Sequence, residues 1–357
     1  MAECAFPPLS LLAYHTKPSP EAAAKFASTP VPKLGDFPGF ELFQWDTQSF
    51  PIEQSPLLVL LMFHELGLVE EFRIPHQPLC HFILCVIEGY RSVPYHNWRH
   101  AFSVAHSLFA IAKAVNLRNY LPAHEILAFF VAALCHDIDH RGRNNAFQVI
   151  KGDPLSKVYS TSYLEFHHFN YSLVLLNAEN NNILQNVPQE TFEAIVQHMK
   201  FVVLATDLAN HFKTRGEFKK EFIEDKVPYN RENTNHRELL CEAIMTCCDI
   251  SSAAMLFEVS ASITKTVYEE FFQQGDEEKV LGSVPNASMD RQSANIPKHQ
   301  LNFIDFIAKM AFSNLCSFFP QLQFLVDTVL ENRKVWESRL NSEQDDAHNG
   351  PVFLPTH

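Results

Sequence analysis

One period governs most of this chain. From residue 55 to about 340, apolar side chains recur at three- and four-residue steps, and no run alternates with period two long enough to require a strand. The stretch 97–117 shows it well, with Ala101, Ala105, Leu108, Ala112 and Val115 in register. Similar patterns mark 55–68, 76–91, 122–136, 163–178, 188–213, 234–250, 254–274, 297–318 and 320–340. This predicts an all-α fold. Glycine agrees: 10 of 357 residues is too few for dinucleotide-binding sheets or hairpin-rich barrels. Composition does not shift between 55 and 340 and no repeat is visible, which predicts one domain there. A Pro-rich extension covers 1–54, and 341–357 reads as a disordered tail. Within the extension, Ser19-Pro20-Glu21 predicts a helix start. Two polar stretches, 139–156 and 275–297, read as loops, the second long enough to be a candidate lid.

Charge narrows the partners. Lys and Arg total 28 against 41 Asp and Glu, a formal −13, so no positive field exists to displace the counterions of a nucleic acid. With 46% apolar residues the chain has ample core material. The longest apolar runs, near 56–63 and 126–135, fall short of the ~20 residues that span a bilayer. The opening MAECAFPPLSLLAY lacks the basic start and unbroken apolar stretch of a secretory signal. Eight cysteines form no CxxC pair and mostly sit in apolar helical runs. They read as reduced, buried thiols, and the expected compartment is the cytoplasm.

The chemistry concentrates in three short segments. In Tyr95-His96-Asn97-Trp98-Arg99-His100, the two histidines lie one helical turn apart, on one face. Alone, this spacing more often marks two core or surface histidines than a metal site. In Cys135-His136-Asp137-Ile138-Asp139-His140, a nitrogen and a carboxylate emerge together at the end of an apolar helix, with His140 following. A buried His–Asp hydrogen bond is the plain alternative. Asp249 ends the apolar run 239–248; alone it is a cap, and beside the other two groups it becomes a fourth candidate ligand. Two imidazoles and two carboxylates suit Zn²⁺. Further polar groups (His140, Glu165, Thr206, Asp207) suggest a second, water-rich Mg²⁺ or Mn²⁺. Two cations sharing one carboxylate are equipped to hydrolyse a phosphate ester. The candidate ligands lie 36 and 113 residues apart, so folding must assemble the site and bound ions should stabilise the fold.

The segments YHNWRHAFSV, LCHDIDHRGRNNAFQ, LEFHHF, LATDLA, MTCCDIS and EEFFQQGD, and the pair Gln300 and Phe303, occur in the order seen in catalytic domains of class I 3′,5′-cyclic nucleotide phosphodiesterases. The chain resembles that family over roughly 55–340, and most of all the dual-specificity, cGMP-related subgroup whose members carry GAF domains, which are outside this chain. The resemblance implies a compact fold of the His-Asp superfamily with about sixteen helices. It implies hydrolysis of cAMP or cGMP to the 5′-monophosphate, which ends cyclic-nucleotide signalling. His100, His136, Asp137 and Asp249 would bind Zn²⁺. Asp137 would bridge to Mg²⁺ or Mn²⁺, with waters held by His140, Glu165, His168 and Thr206. A hydroxide between the ions would attack phosphorus. His96 would protonate the leaving O3′, oriented by Glu270. The base pocket would comprise Gln300, Phe303 and Val267, with Tyr95, Asn145 and Ile250 as further substrate-binding residues. A homodimer is a further expectation. Two other readings stand beside this one: another His-Asp phosphohydrolase, which need not carry Gln300 and Phe303, and a catalytically silent binding subunit, which should have lost a ligand or His96. Phe166, where relatives often have His, and the absence of Trp from 252–257 are departures from the pattern.

Overall fold

Polar caps set where the helices of this protein begin. The structure, a computed structural model, describes residues 17–207 and 215–348. Among them are fifteen α-helices, joined by short 3₁₀ and π segments, and no strand. The chain divides into two compact units, Met1–Ser251 and Ser252–His357.

The first unit opens with α1 (Pro20–Ser28), which starts where the sequence predicted: the Ser19 hydroxyl accepts the Ala22 N–H at 3.1 Å. Next come α2 (Ser55–Glu65), α3 (Leu68–Phe72), α4 (His76–Gly89), α5 (Trp98–Val115) and α6 (Ala123–Cys135). After these follow α7 (Asn145–Lys151), α8 (Leu155–Val158), α9 (Tyr163–Leu176), α10 (Gln189–Leu204) and α11 (Thr234–Asp249). At the centre lies α6, buried at every residue from Glu125 to Cys135, packed against α5 and α10. A helix apolar on all sides has no solvent face and must be enclosed. Helix α11 packs on α5, and α9 on α10 and α4.

The proline-rich extension is not a loose arm between 37 and 54. The Arg99 Nη1 group donates to the carbonyls of Thr47 (2.7 Å), Gln48 (3.0 Å) and Phe50 (3.0 Å). His106 reaches the Phe40 carbonyl at 2.8 Å, and Phe40 packs edge-on to Trp45 and against Phe109. These contacts dock the extension on the outer face of α5. The polar stretch 139–156, expected as loop, contains α7 and the start of α8. Asn144 caps α7 by accepting the Phe147 N–H at 2.9 Å, a local signal that low apolar content obscured.

The second unit contains α12 (Phe257–Val280), α13 (Ile296–Phe303), α14 (Lys309–Phe318) and α15 (Gln323–His348). Helix α15 packs against α13 and α14 and passes the expected domain end at 340. Residues 304–308 form a π segment between α13 and α14, so the run 297–318 is not one regular helix. The candidate lid at 275–297 is shorter than expected: α12 continues through 280, and the remainder is pinned by Lys279–Asp290 (2.6 Å) and Arg291–Asp276 (3.1 Å). Gly275 permits this, since a Cβ there would lie 2.0 Å from the Met289 carbonyl oxygen. Seven of the eight cysteines are buried and free; Cys4 lies outside the described residues, as do 208–213 of the predicted helix at 188–213. Among the described residues, no helix is long and apolar enough to cross a membrane.

Candidate metal centre

Three helix ends deliver four side chains to one place. His100 lies in the first turn of α5, whose cap Asn97 accepts the Arg99 N–H at 2.9 Å. His136 and Asp137 leave the C-terminal end of α6, and Asp249 is the last residue of α11. The Nε2 atoms of His100 and His136 are 3.1 Å apart. His100 Nε2 lies 3.4 Å from Asp137 Oδ2 and 3.1 Å from Asp249 Oδ1. His136 Nε2 lies 3.3 and 3.4 Å from the same two oxygens. Four donors each about 2.1 Å from a common ion would stand about 3.0–3.4 Å apart, for octahedral or tetrahedral angles. The observed separations match that spacing.

The hydrogen bonds behind these atoms fit the same use. His136 Nδ1 faces the Ala133 carbonyl at 2.9 Å, which places the ring proton there and leaves Nε2 as a lone pair toward the centre. The Tyr90 hydroxyl donates to the Leu134 carbonyl (3.0 Å) and accepts the Asp137 N–H (3.3 Å), fixing the backbone that carries the carboxylate. Burial works to lower the basicity of His136, but Asp137 and Asp249 outweigh it and hold its pKa well above the usual value. Burial likewise acts to raise Asp137, and His136, His100 and His96 hold it well below the carboxylate range. Without a cation, a proton on an imidazole must balance the two carboxylates. A divalent ion removes that need, so binding releases protons and weakens in acid.

A second group adjoins the first. Asp137, His140 and His168 bring a carboxylate oxygen and two ring nitrogens within 4.8 Å of one another. His168 Nδ1 donates to the Ile138 carbonyl at 2.5 Å, while its Nε2 is buried without a partner, 3.8 Å from Asp137 Oδ1. That gap is too long for a hydrogen bond, and an orphaned acceptor beside a carboxylate calls for a donor such as water on a cation. Burial carries the His168 pKa down to about 4, so the ring stays neutral. His140 Nδ1 accepts the Gly142 N–H at 3.0 Å, so its Nε2 bears hydrogen and can donate to a water but not ligate. Glu165 accepts from Asn145 at 2.9 Å, and burial pushes its pKa up to about 7.

The other predicted residues fall as follows. Tyr95 packs its ring against His96 and His100, each at 4.7 Å. The His96 ring is tilted against that of His140, with centroids 4.1 Å apart. Thr206, just past α10, turns its hydroxyl to the Val203 carbonyl. Asn145 binds Glu165 and the Leu164 N–H, leaving one hydrogen and one lone pair for any ligand. Ile250 follows Asp249 as the C-cap of α11. In the second unit, Val267 and a buried Glu270 lie on α12, and Gln300 and Phe303 on α13. Burial raises the Tyr268 pKa and Gln300 partly offsets it, which places the phenol near the Gln300 amide, a neighbour the sequence reading missed. Phe166 stacks on Tyr159 at 5.2 Å and lies under the Lys200 ammonium, so its departure from the motif is absorbed in packing.

A sequence profile described as 3'5'-cyclic nucleotide phosphodiesterase matches residues 95–329. Proteins described as cGMP-specific 3',5'-cyclic phosphodiesterase from Drosophila melanogaster, Drosophila virilis and Drosophila ananassae are each 38% identical over 333 residues, or 92% of this chain. The chain spans 29%, 37% and 28% of those relatives' lengths.

Proposed function

We propose, for a chain that belongs to the 3′,5′-cyclic nucleotide phosphodiesterase family, that it hydrolyses the 3′-phosphoester bond of a cyclic nucleotide to give the 5′-monophosphate. The observation that carries this is the convergence of His100, His136, Asp137 and Asp249 at ligand-to-ligand spacing beside a second, water-suited group. In this reading the first four residues hold Zn²⁺, and Asp137 with His140, Glu165, His168 and Thr206 serves Mg²⁺ or Mn²⁺. Bound cations would supply positive potential against the phosphate and acidify water. That local charge answers the objection that a −13 chain repels an anion.

The chain's own groups supply the rest. His96, half-buried with its ring tilted against His140, delivers an imidazole proton to the departing O3′. Gln300 offers both an amide donor and an acceptor to a purine edge, and Phe303 and Val267 supply apolar walls for the base; Tyr95, Asn145 and Ile250 are further substrate-binding candidates. Tyr268 restrains which way the Gln300 amide turns. The relatives' described specificity favours cGMP as a substrate. We further propose 55–340 as the catalytic domain, a cytoplasmic location and a homodimer, with GAF modules as regulatory partners outside this chain.

Side-by-side hydrolysis of cAMP and cGMP with Mg²⁺, before and after chelation, tests this. The expected result is turnover that chelation abolishes, and a His96→Ala variant that keeps its metal while kcat falls about 10²-fold or more. Turnover that survives chelation, or a His96→Ala variant with unchanged kcat, refutes it.

A further inference from the structure

Between the metal-ligand candidates Asp137 and His140 stands a carboxylate that points away from both cation groups. Asp139 is buried and adopts φ +63°, the left-handed region that Asp, Asn and Gly tolerate and most residues do not. Its side chain is gripped from two directions. His167 Nε2 donates to Oδ2 at 2.8 Å, and Arg91 Nε donates to Oδ1 at 2.6 Å. Its own N–H donates to the Gly89 carbonyl at 2.9 Å.

The consequence lies one residue further along α9. His167 is tied to Asp139, and His168 is tied through Nδ1 to the carbonyl of Ile138 at 2.5 Å. Two consecutive residues of the 136–140 segment therefore fasten to two consecutive residues of α9. These rivets set the 3.8 Å separation of His168 Nε2 from Asp137 Oδ1. His168 Nε2 and the ionised Asp137 carboxylate are both acceptors, so a shift of α9 by half an ångström or more would not bond them to each other but would change the width left between them for a cation's water. The Ile138–His168 bond alone leaves α9 free to pivot; the Asp139–His167 bond on the neighbouring residue removes that freedom. His167 is further steadied by a parallel stack on Tyr171, with ring planes 9° apart.

We infer that Asp139 is a positioning residue, which holds the Asp137–His168 gap open and thereby sets affinity for the second cation without touching it. This rests on the two-cation reading above. The left-handed turn explains why a carboxylate is placed there at all: the turn directs the 139 side chain to α9 while leaving 137 and 140 facing the centre.

The test uses Asp139→Asn, which suits the same turn but carries no charge, and His167→Phe, which keeps the stack on Tyr171 but has no N–H. Zn²⁺ affinity is measured by chelator competition, and Mn²⁺ affinity by calorimetric titration of the zinc-loaded protein. The expected result in both variants is a Mn²⁺ dissociation constant raised about tenfold, as for other residues that orient a metal's ligands, with Zn²⁺ affinity within about twofold of wild type. Unchanged Mn²⁺ affinity in His167→Phe overturns the inference, whatever happens to thermal stability. Equal losses of Zn²⁺ and Mn²⁺ affinity overturn it too, since they report general loosening of the segment. A wild-type protein that takes up only one cation refutes the two-cation reading itself, and this inference with it.

Discussion

Acid should loosen the docked extension through one histidine. His106 is 1% exposed, with Nε2 donating to the Phe40 carbonyl at 2.8 Å and its ring packed against Phe40 and Trp45. Burial lowers its pKa from 6.5 to about 4, with the Phe40 carbonyl offsetting part of that. Because the folded value lies below the unfolded one, the unfolded chain takes up the proton first as pH falls. Stability from this group is therefore intact above about 6.5 and lost progressively down to about 4. Between pH 8 and pH 5 the loss comes to about 2 kcal/mol. His106→Gln isolates it, because the amide can still donate to Phe40 but does not titrate. Urea unfolding of both proteins at pH 8 and pH 5 gives a difference of differences. The expected change is about 2 kcal/mol in favour of the variant at pH 5. A change below about 0.5 kcal/mol would show that the imidazole is not held neutral by burial, and would refute the reasoning.

Arg99→Met should cost about 3 kcal/mol, because three carbonyls lose a charge-assisted donor at once; urea unfolding reads it, and a cost under about 1 kcal/mol would mean water replaces the guanidinium freely. Gly275→Ala should lower stability by about 2 kcal/mol or more, since its Cβ would overlap the Met289 carbonyl at 2.0 Å; an unchanged melting temperature would show that the 286–293 turn moves aside without cost.

Much of this was legible before any coordinates. His100, His136, Asp137 and Asp249 could be named because each sits at or near the end of a strongly periodic helix, where sequence patterns place residues well. The supporting contacts could not. Asp139 meets Arg91 and His167 across 48 and 28 residues, and nothing in a local window pairs them. The Tyr90 hydroxyl under Asp137 is hidden in the same way. How the extension docks was not legible because its order comes from aromatic packing and from carbonyls turned toward Arg99, neither of which leaves a period. Helices α7 and α8 were missed because they are short and capped by Asn and Pro in a polar stretch. In α12 the expected loop start at 275 stays helical because Gln274, Gly275 and Glu278 are buried, a tertiary effect that overrides local polarity.

Metal binding by Asp249→Ala speaks most directly to the convergence of four distant side chains on one ion. Chelator competition against Zn²⁺, alongside circular dichroism to verify the helices, should find affinity lower by on the order of 10²-fold or more with helix content unchanged. Equal zinc affinity in a folded variant would mean that Asp249 faces no cation, and the account of this site would be wrong.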